Sequence, residues 1–273
     1  MALFTSVTAA ADIKALTDFT VSITGRIEVG DTEKIAAFLK RQKYAPNTLY
    51  LNSPGGAMDE AIRLGELIKV LYVSTEVQAN GSCASACFFL FLAGSDRFAS
   101  PSELLTPGEI EKIAALQRQV TSRPARGVAG FIGLHRPFFP NAPDMHGEQI
   151  PMMKRVTAHL EKQLVSRRLI DIMMSRPSND VYWLKEEDLK EIGRYPPDQE
   201  EFLIQKCNFH RNSEDKIIGA LRLGDAKKAQ DLQQKLDMSN QCRTEIELGQ
   251  QHAGLKKLKS GWLPSKLRVA DPK

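Results

Sequence analysis

The sequence predicts an α/β fold with a largely parallel sheet and crossover helices, followed by a helical extension. Over the first hundred residues, short β-branched and apolar segments alternate with amphipathic helical segments. Such alternation is typical of parallel strands joined by crossover helices. From about Asp198 onward, the residues are charged and helix-favouring, with few strand formers. Of 273 residues, 42% are apolar and 26% are charged, which is the composition of an ordinary globular protein.

Strand and helix patterns alternate regularly up to residue 77. Segments rich in β-branched and large apolar side chains predict three strands, Val21–Thr24, Leu49–Leu51 and Tyr72–Val77. Asp31 is placed to cap a helix over Thr32–Arg41. A second helix is predicted after Gly55-Gly56, because small or apolar residues recur there at i, i+3, i+4 and i+7 spacing: Met58, Ala61, Ile62, Gly65 and Ile68.

The segments that follow predict further buried elements. Ser85–Ala93 is apolar on every side, which is typical of a buried helix. Thr106–Glu109 has the pattern of a capping box and predicts a helix that runs to about Val120. Phe131–His135 predicts a short buried strand that ends in a histidine. Four apolar residues predict one long amphipathic helix that closes before Pro177: Met153, Val156, Leu160 and Leu164.

Composition and charge exclude several function classes. A formal net charge of +4 is too small to favour nucleic acid or an anionic membrane surface as a partner. No apolar run approaches the roughly 18–20 residues of a membrane span, and the best, Ala86–Ala93, is far shorter. Met1–Ala11 has neither a basic start nor a sustained apolar core, so it does not fit a signal peptide. We therefore expect a cytoplasmic protein, unless the true start lies upstream.

Two segments rich in glycine and small residues are candidates for chemistry. Leu51–Gly56 (LNSPGG) separates a predicted strand from a predicted helix. Its glycines leave backbone N–H groups uncovered that suit an oxyanion, although the same residues also make a good turn. Gly81–Cys87 (GSCASAC) surrounds Ser85 with small residues where the chain enters a buried helix. A nucleophile on a sharp turn needs such neighbours, although small residues before a core helix also serve packing.

The four cysteines do not form a disulfide scaffold of the kind found in small secreted domains. Cys83 and Cys87 are rival nucleophiles to Ser85, but beside a Phe/Leu run we expect them to be small, unpaired core residues. Cys207 and Cys242 flank a helical stretch at a separation that a disulfide can close, at a gain of about 3–4 kcal/mol. We expect both to be reduced; a bridge there would indicate a periplasmic or secreted protein.

Two further candidates lie later in the chain. His135, in GLHRP, is the residue type most used as a general base near neutral pH, although a histidine at a strand end is often structural. Asp180, in SNDVYW, is a candidate carboxylate that precedes apolar residues. Its alternative is a structural role as a helix N-cap or turn residue. The sequence contains no HExxH or CxxC spacing, so we predict neither a metal nor another cofactor.

The order of these motifs resembles the proteolytic subunit of the Clp protease and, more broadly, the Clp-protease/crotonase superfamily. The likeness runs from about residue 22 to residue 194. Leu51–Gly56 is similar to the family's Asn-Ser-Pro-Gly-Gly oxyanion loop. Gly81–Gly94 is similar, without a gap, to its Gly-x-x-Ala-Ser nucleophile segment and the apolar run that follows.

The remaining two motifs extend the resemblance. Leu134–Pro137 is similar to the family's Ile-His-Gln-Pro around the catalytic histidine. Asp180 lies thirteen residues before Gly193, and the family's third triad member has the same relation to a glycine. Four motifs in this order, with these internal spacings, are more specific than any one of them.

The resemblance implies a fold and a set of roles. The fold would be a repeated β-β-α spiral with crossover helices. Ser85 would attack a carbonyl group, His135 would accept and later donate the proton, and Asp180 would orient the imidazole. The backbone N–H groups of Gly56 and Ala86 would form the oxyanion hole, each such donor contributing about 3–4 kcal/mol. The substrate would be a peptide or unfolded protein, and the chain would form a homo-oligomer.

Two segments depart from the family pattern and shape the predicted domains. We expect a catalytic domain over 12–195, with an insertion at about 102–130, because Ser85 and His135 are fifty residues apart, about twice the family's interval. A charged helical extension over 196–273 has no counterpart in the family. Its end, residues 252–273, holds six basic residues and one acidic residue. The insertion or this basic end could dock a partner protein, and both put a ring assembly in doubt.

Two other functions stay open. A crotonase-type acyl-CoA enzyme would share the oxyanion loops but would need no nucleophilic serine. A catalytically silent scaffold would have kept only the fold. Because Ser85, His135 and Asp180 occur together, the sequence favours a serine-type peptidase.

Overall fold

The computed structural model describes residues 11–78, 81–99, 131–137, 146–177, 179–210 and 213–265. The predicted insertion at 102–130, with its capped helix, lies outside these residues. Within them, an α/β core is followed by a helical C-terminal part, which confirms the predicted fold class. None of the helices in the described ranges is both long and apolar enough to cross a bilayer.

The larger sheet has five strands, β1 (Asp12–Ala15), β2 (Thr20–Thr24), β3 (Thr48–Asn52), β4 (Ser74–Val77) and β6 (Arg97–Ala99). They lie in the order β1-β2-β3-β4-β6. β1 pairs antiparallel with β2, and the other three pairs are parallel. Buried residues alternate with half-buried or exposed ones along strands β2 and β3, with Leu49 and Leu51 in the core. Parallel strands bring their carboxyl ends to one edge of the sheet, where ligand sites usually form.

A smaller sheet has three strands, β5 (Ser82–Ala84), β7 (Phe131–Leu134) and β8 (Tyr182–Trp183). β5 and β7 are parallel, and β8 runs antiparallel to β7. The two sheets meet where the chain leaves β3. There the Ser53 N–H donates to the Ser82 carbonyl at 2.7 Å, and the Ala84 N–H donates to the Ser53 carbonyl at 3.0 Å. The end of β3 thus positions the segment around Ser85.

Nine helices lie in the described ranges, six in the α/β part and three in the extension: α1 (Asp31–Lys40), α2 (Met58–Leu71), α3 (Cys87–Leu92), α4 (His146–Lys162), α5 (Arg167–Ser175), α6 (Glu186–Ile192), α7 (Pro197–Cys207), α8 (Ser213–Arg222) and α9 (Ala226–Lys259). All six residues of α3 are buried, as expected for a segment that is apolar on every side. Helices α1, α2 and α3 pack with the larger sheet in one hydrophobic core.

Two helix boundaries differ from the prediction. α1 begins at Asp31 itself, with Gly30 as its N-cap. The Asp31 carboxylate accepts the Glu28 N–H at 2.8 Å, so it closes the preceding turn and does not cap the helix as predicted. The predicted helix over Ser85–Ala93 begins later, at Cys87, and leaves Ser85 in the turn before it.

The predicted long helix before Pro177 is interrupted. Leu164 has φ of 57° and its side chain is exposed, so the chain turns there. The Val165 N–H donates to the Leu160 carbonyl at 3.0 Å, as in a helix C-terminus that ends in a left-handed residue. Ser166 then caps α5 by accepting the Leu169 N–H. A prediction based on helical spacing missed this break, because Leu164 falls on the apolar stripe without being buried.

The extension is fastened to the rest of the chain and to itself. Helix α9 packs against α2 closely enough that a Cβ on Gly254 would lie 2.0 Å from the Val70 carbonyl oxygen. A disulfide joins Cys207, at the end of α7, to Cys242 in α9, with a Cα–Cα distance of 5.5 Å. The expectation that both are reduced is therefore wrong, because the packing of α7 on α9 brings them within bridging range. The domain boundary between 195 and 196 stays a prediction.

Candidate active site

Ser85 lies in the tight turn between β5 and α3, with its side chain half-buried. Its φ of 57° places a non-glycine residue in the left-handed region. Such a backbone costs about 1–3 kcal/mol and persists only where its surroundings over-determine it. Ala84 and Ala86 on either side are small and buried, so the turn packs tightly around the serine. This is the geometry of a nucleophile held at the tip of a strand-to-helix turn.

The glycine loop after β3 lies directly against this turn. Gly55 has φ of 94°, and a Cβ there would lie 2.6 Å from the Ala84 carbonyl oxygen and 2.7 Å from the Ser85 Cβ. Only glycine can make that approach. The buried Ser53 hydroxyl accepts the Gly55 N–H at 3.1 Å and fixes the loop. The two motifs that the sequence singled out are therefore in van der Waals contact.

The predicted oxyanion-hole residues, Gly56 and Ala86, lie in the glycine loop and in the Ser85 turn. Gly56, with φ of 148°, lies so close to Ile27 that a Cβ would be 2.0 Å from the Ile27 carbonyl oxygen. Within the described ranges, no acceptor meets the N–H of Gly56 or that of Ala86. Unsatisfied donors beside a nucleophile are what a developing oxyanion requires. The predicted oxyanion-hole residues thus lie in loops that touch the Ser85 turn.

His135 directly follows β7, the strand that runs parallel to β5. The Ser85 N–H donates to the Gly133 carbonyl at 2.8 Å, and His135 follows two residues later, 8% exposed. The His135 Nδ1 lies 2.9 Å from the Arg136 carbonyl oxygen. A carbonyl accepts a hydrogen bond, so Nδ1 carries a proton in this contact, and a neutral ring then has its lone pair on Nε2. That is the tautomer in which a histidine acts as base toward a serine.

Asp180 lies two residues before β8, and its carboxylate is bound to Arg176. It precedes β8, whose Tyr182 pairs with Leu134 of β7. Its Oδ2 accepts from the Arg176 Nη1 at 2.7 Å, and 52% of the side chain is exposed. The described contacts therefore join the Ser85 turn to the strand before His135, and they place Asp180 in the loop before β8, paired with Arg176.

The strand that leads from Asp180 is firmly seated. Gly133 allows this, since a Cβ there would lie 2.5 Å from the Val181 Cγ1 and 2.8 Å from the Trp183 ring. The Tyr182 hydroxyl donates to Asp188 at 2.9 Å. Burial, with this hydrogen bond next in size, raises the pKa of the Tyr182 hydroxyl. Tyr182 therefore stays neutral and anchors the strand beside His135.

Sequence reasoning missed two contributors to the site. The Asn52 side-chain carbonyl accepts the Ser82 N–H at 3.1 Å and so ties the glycine loop to β5. Cys83 and Cys87, expected to be unpaired, form a disulfide with a Cα–Cα distance of 5.1 Å. Their i, i+4 spacing around a run of small residues was the available signal, because the turn at Ser85 brings the two Cα atoms within bridging range. Among the described residues, no group of three or more His, Cys, Asp and Glu side chains suits a metal ion.

A known protein family matches the part of the chain that contains the glycine loop and the Ser85 turn. Residues 8–105 match the Clp protease family. This match includes Gly56 and Ser85 and ends before His135 and Asp180. No curated protein matches the chain.

Three solved structures show similarity to the chain. ClpP1 from Listeria monocytogenes is 20% identical over 64% of this chain and 86% of its own, with a TM-score of 0.38. A mutant of that protein is 18% identical over 67% of this chain and 94% of its own, with a TM-score of 0.40. An enoyl-CoA hydratase from Mycobacterium avium subsp. paratuberculosis is 17% identical over 92% and 90%, with a TM-score of 0.33. Because these TM-scores are low, we draw no conclusion about the function of the chain from these structures. The family match over residues 8–105 confirms the resemblance for the two motifs that it contains, Leu51–Gly56 and Gly81–Gly94, and this part of the chain is Clp-protease-like.

Proposed function

We propose that the chain is a serine hydrolase that cleaves peptide bonds through Ser85, His135 and Asp180. The observation that carries the proposal is the left-handed turn at Ser85, which is packed against Gly55 and hydrogen-bonded to β7, the strand just before His135. Strain at one half-exposed serine supports a catalytic role better than a structural one, as do the N–H groups of Gly56 and Ala86, for which the described residues provide no acceptor.

In this mechanism the Ser85 hydroxyl attacks the carbonyl carbon of the substrate while the His135 Nε2 accepts its proton. The N–H groups of Gly56 and Ala86 stabilise the resulting oxyanion. His135 then donates the proton to the leaving amine, and water hydrolyses the acyl-enzyme by the reverse sequence. Asp180 would exchange its bond to Arg176 for one from the His135 Nδ1–H, which would leave the Arg136 carbonyl, and so stabilise the imidazolium.

Labelling with a fluorophosphonate probe, followed by intact mass, tests this proposal. We expect one adduct on the wild type and none on S85A or H135A. S82A, altered at the first residue of β5 three residues before Ser85, is the matched control and should label like the wild type. The absence of any adduct on folded wild type, at every protein concentration tried, would overturn the proposal.

One observation favours a second candidate, the catalytically silent scaffold. The Asp180 carboxylate pairs with Arg176 and is half exposed, so no described contact joins it to His135. A silent scaffold would leave S85A, H135A and the wild type alike toward the probe. Thioester turnover that survives S85A would instead favour the crotonase-type acyl-CoA enzyme.

We also propose that the protein works outside the cytoplasm. Both cysteine pairs are bridged, and such bonds persist in oxidising compartments. Acid quenching of cells that express the chain with its native start, followed by alkylation and mass analysis, measures the free thiols. We expect none, and four alkylated cysteines would contradict the assignment.

The assembly we propose is a homo-oligomer, which is what the resemblance over residues 8–105 supports. Sedimentation velocity at two protein concentrations measures it. A monomer at both concentrations would contradict this proposal without affecting the one for Ser85.

A further inference from the structure

The disulfide between Cys83 and Cys87 encloses the Ser85 turn. Cys83 is the middle residue of β5, and Cys87 is the first residue of α3. Their sequence separation is four, so the serine is the midpoint of the five residues that the bond closes into a ring. A covalent link of this length ties the end of the strand to the start of the helix, and the serine must turn between them.

The other contacts around Ser85 hold the end of β5 and the start of α3 individually, but they do not fix the distance between these two elements. The Ser85 N–H is bound to Gly133 on one side, and the Phe88 N–H donates to the Ser85 carbonyl on the other at 3.0 Å. Gly55 packs against the outside of the turn. A serine keeps a left-handed backbone only where the constraints around it together outweigh the strain. The disulfide is the covalent constraint among them.

Burial shows that this bond is a permanent part of the folded protein. Cys83 and Cys87 are both fully buried, with 0% exposure, beside the Phe/Leu residues of α3. A dissolved thiol cannot reach either sulfur without opening the core, so the bond is not poised as a redox switch.

We propose that Cys83 and Cys87 are positioning residues whose disulfide holds Ser85 in the left-handed backbone that its nucleophilic role requires. The expected effect on the reaction rate rests on the proposed function. The expected effect on the Ser85 backbone does not. Without the bond, the turn relaxes and Ser85 occupies the reactive conformation for only part of the time.

The test compares two double variants, each of which lacks one disulfide. We expect C83A/C87A to label with the fluorophosphonate probe about tenfold more slowly than the wild type, because the strain of a left-handed serine is of the size that shifts a population by that factor. C207A/C242A, the matched control, removes the other bond and should lower the melting temperature but label at the wild-type rate. Equal slowing in both variants, or in neither, would overturn the proposal.

A second measurement does not depend on catalysis. In a crystal structure of C83A/C87A, we expect Ser85 to leave the left-handed region or to show two conformers. If φ stays near the value of the intact protein, the proposal is wrong. If the wild type does not label but this backbone relaxes, the proposed function fails while the positioning role stands. Should C83A/C87A not fold, the single variant C83A, which keeps the Cys87 sulfur in the core, replaces it in both measurements.

Discussion

At the scale of single residues, the site depends on a close approach between two backbones. Gly55 and Ser85 both have positive φ, and they lie against each other. A positive φ costs glycine nothing but strains a serine, so the contact with Gly55 is one of the constraints that hold Ser85 in this conformation. The glycine therefore has a steric role in addition to whatever the adjacent N–H groups do in catalysis.

We expect G55A to lower both the melting temperature and the rate of labelling at Ser85. The new Cβ would meet the Ala84 carbonyl and the Ser85 Cβ, and such overpacking costs about 1–3 kcal/mol. G30A is the matched control, since Gly30 has φ of 101° but nothing within 4 Å of an added Cβ. Thermal unfolding and probe labelling of both variants check this; equal effects would show that backbone strain alone matters.

The Arg176–Asp180 pair gives a second prediction at this scale. If Asp180 completes the triad, D180N lowers the labelling rate by orders of magnitude, because an amide stabilises the wrong imidazole tautomer. R176A frees the same carboxylate and should label at least as fast as the wild type. Labelling rates of the two variants decide the matter, and a slow R176A with a normal D180N would exclude Asp180 from the triad.

At the scale of secondary structure, the predictable elements are those with a strong local pattern. Strands β2, β3 and β7 and helices α1, α2 and α3 correspond to predicted segments, with boundaries shifted by a few residues. Strand β6 was missed because its first residue, Arg97, is charged yet buried, and its Nη2 donates to the Leu92 carbonyl at 2.6 Å. Strand β8 has two residues, too few to show an alternation.

We predict that α9 is sensitive to added volume at one glycine and tolerant at another. G254A forces a Cβ to within 2.0 Å of the Val70 carbonyl and should destabilise the protein by about 1–3 kcal/mol. G249A on the same helix meets nothing within 4 Å and should stabilise it by about 0.5–1 kcal/mol, since alanine favours helix. Urea unfolding of both measures this, and destabilisation by G249A would contradict it.

Helix α6 gives a prediction about pH. Burial alone would raise the pKa of the Asp188 carboxyl, but hydrogen bonds from the Lys185 N–H, Arg168 and Tyr182 outweigh it and lower the pKa. A depressed folded pKa contributes stability above the unfolded value of about 3.9, and this stability is lost as the pH falls through the folded value.

The change to test is D188N, with D18N at an exposed aspartate as control. We expect D188N to be less stable than the wild type near pH 6 and the difference to shrink toward pH 2. Unfolding free energies from urea titrations across this range check the sign. A difference that is constant with pH would mean that the carboxylate charge does not matter.

At the scale of the whole molecule, a buried cation joins distant parts of the chain. The Arg63 guanidinium is 6% exposed and pairs with Glu60 at 3.0 Å and Glu33 at 2.7 Å. It also donates to the Pro264 carbonyl at 3.4 Å, and so links α1 and α2 to the segment after α9. Glu60 in turn accepts the Thr32 N–H at 2.7 Å. The extension is therefore bound to the α/β part through this arginine.

We expect R63M to cost about 3–5 kcal/mol, because it leaves the buried Glu60 carboxylate without its cation. E33Q, at the more exposed end of the network, should cost at most about 1 kcal/mol. Urea unfolding of the two variants provides the comparison. A mild R63M would mean that Glu60 is satisfied by Thr32 alone.

For the molecule as a whole, the fold class and the segments that form the candidate site were predictable, because both follow from patterns in short stretches of sequence. Gly55, Ser85 and His135 follow strands, and parallel strands bring their ends together. What could not be predicted are contacts between residues far apart in the chain. The bond from Arg63 to Pro264 spans 201 residues, and the contact of Gly254 with Val70 leaves no pattern in either segment.

The Cys207–Cys242 bond has a practical consequence for anyone who purifies this protein. It closes a loop of the chain that contains all of α8 and the first half of α9. A protease that cuts anywhere in this loop leaves two fragments that stay covalently joined. Such a nicked molecule migrates as a single band without reductant and as two bands with it, so intactness must be judged on a reducing gel.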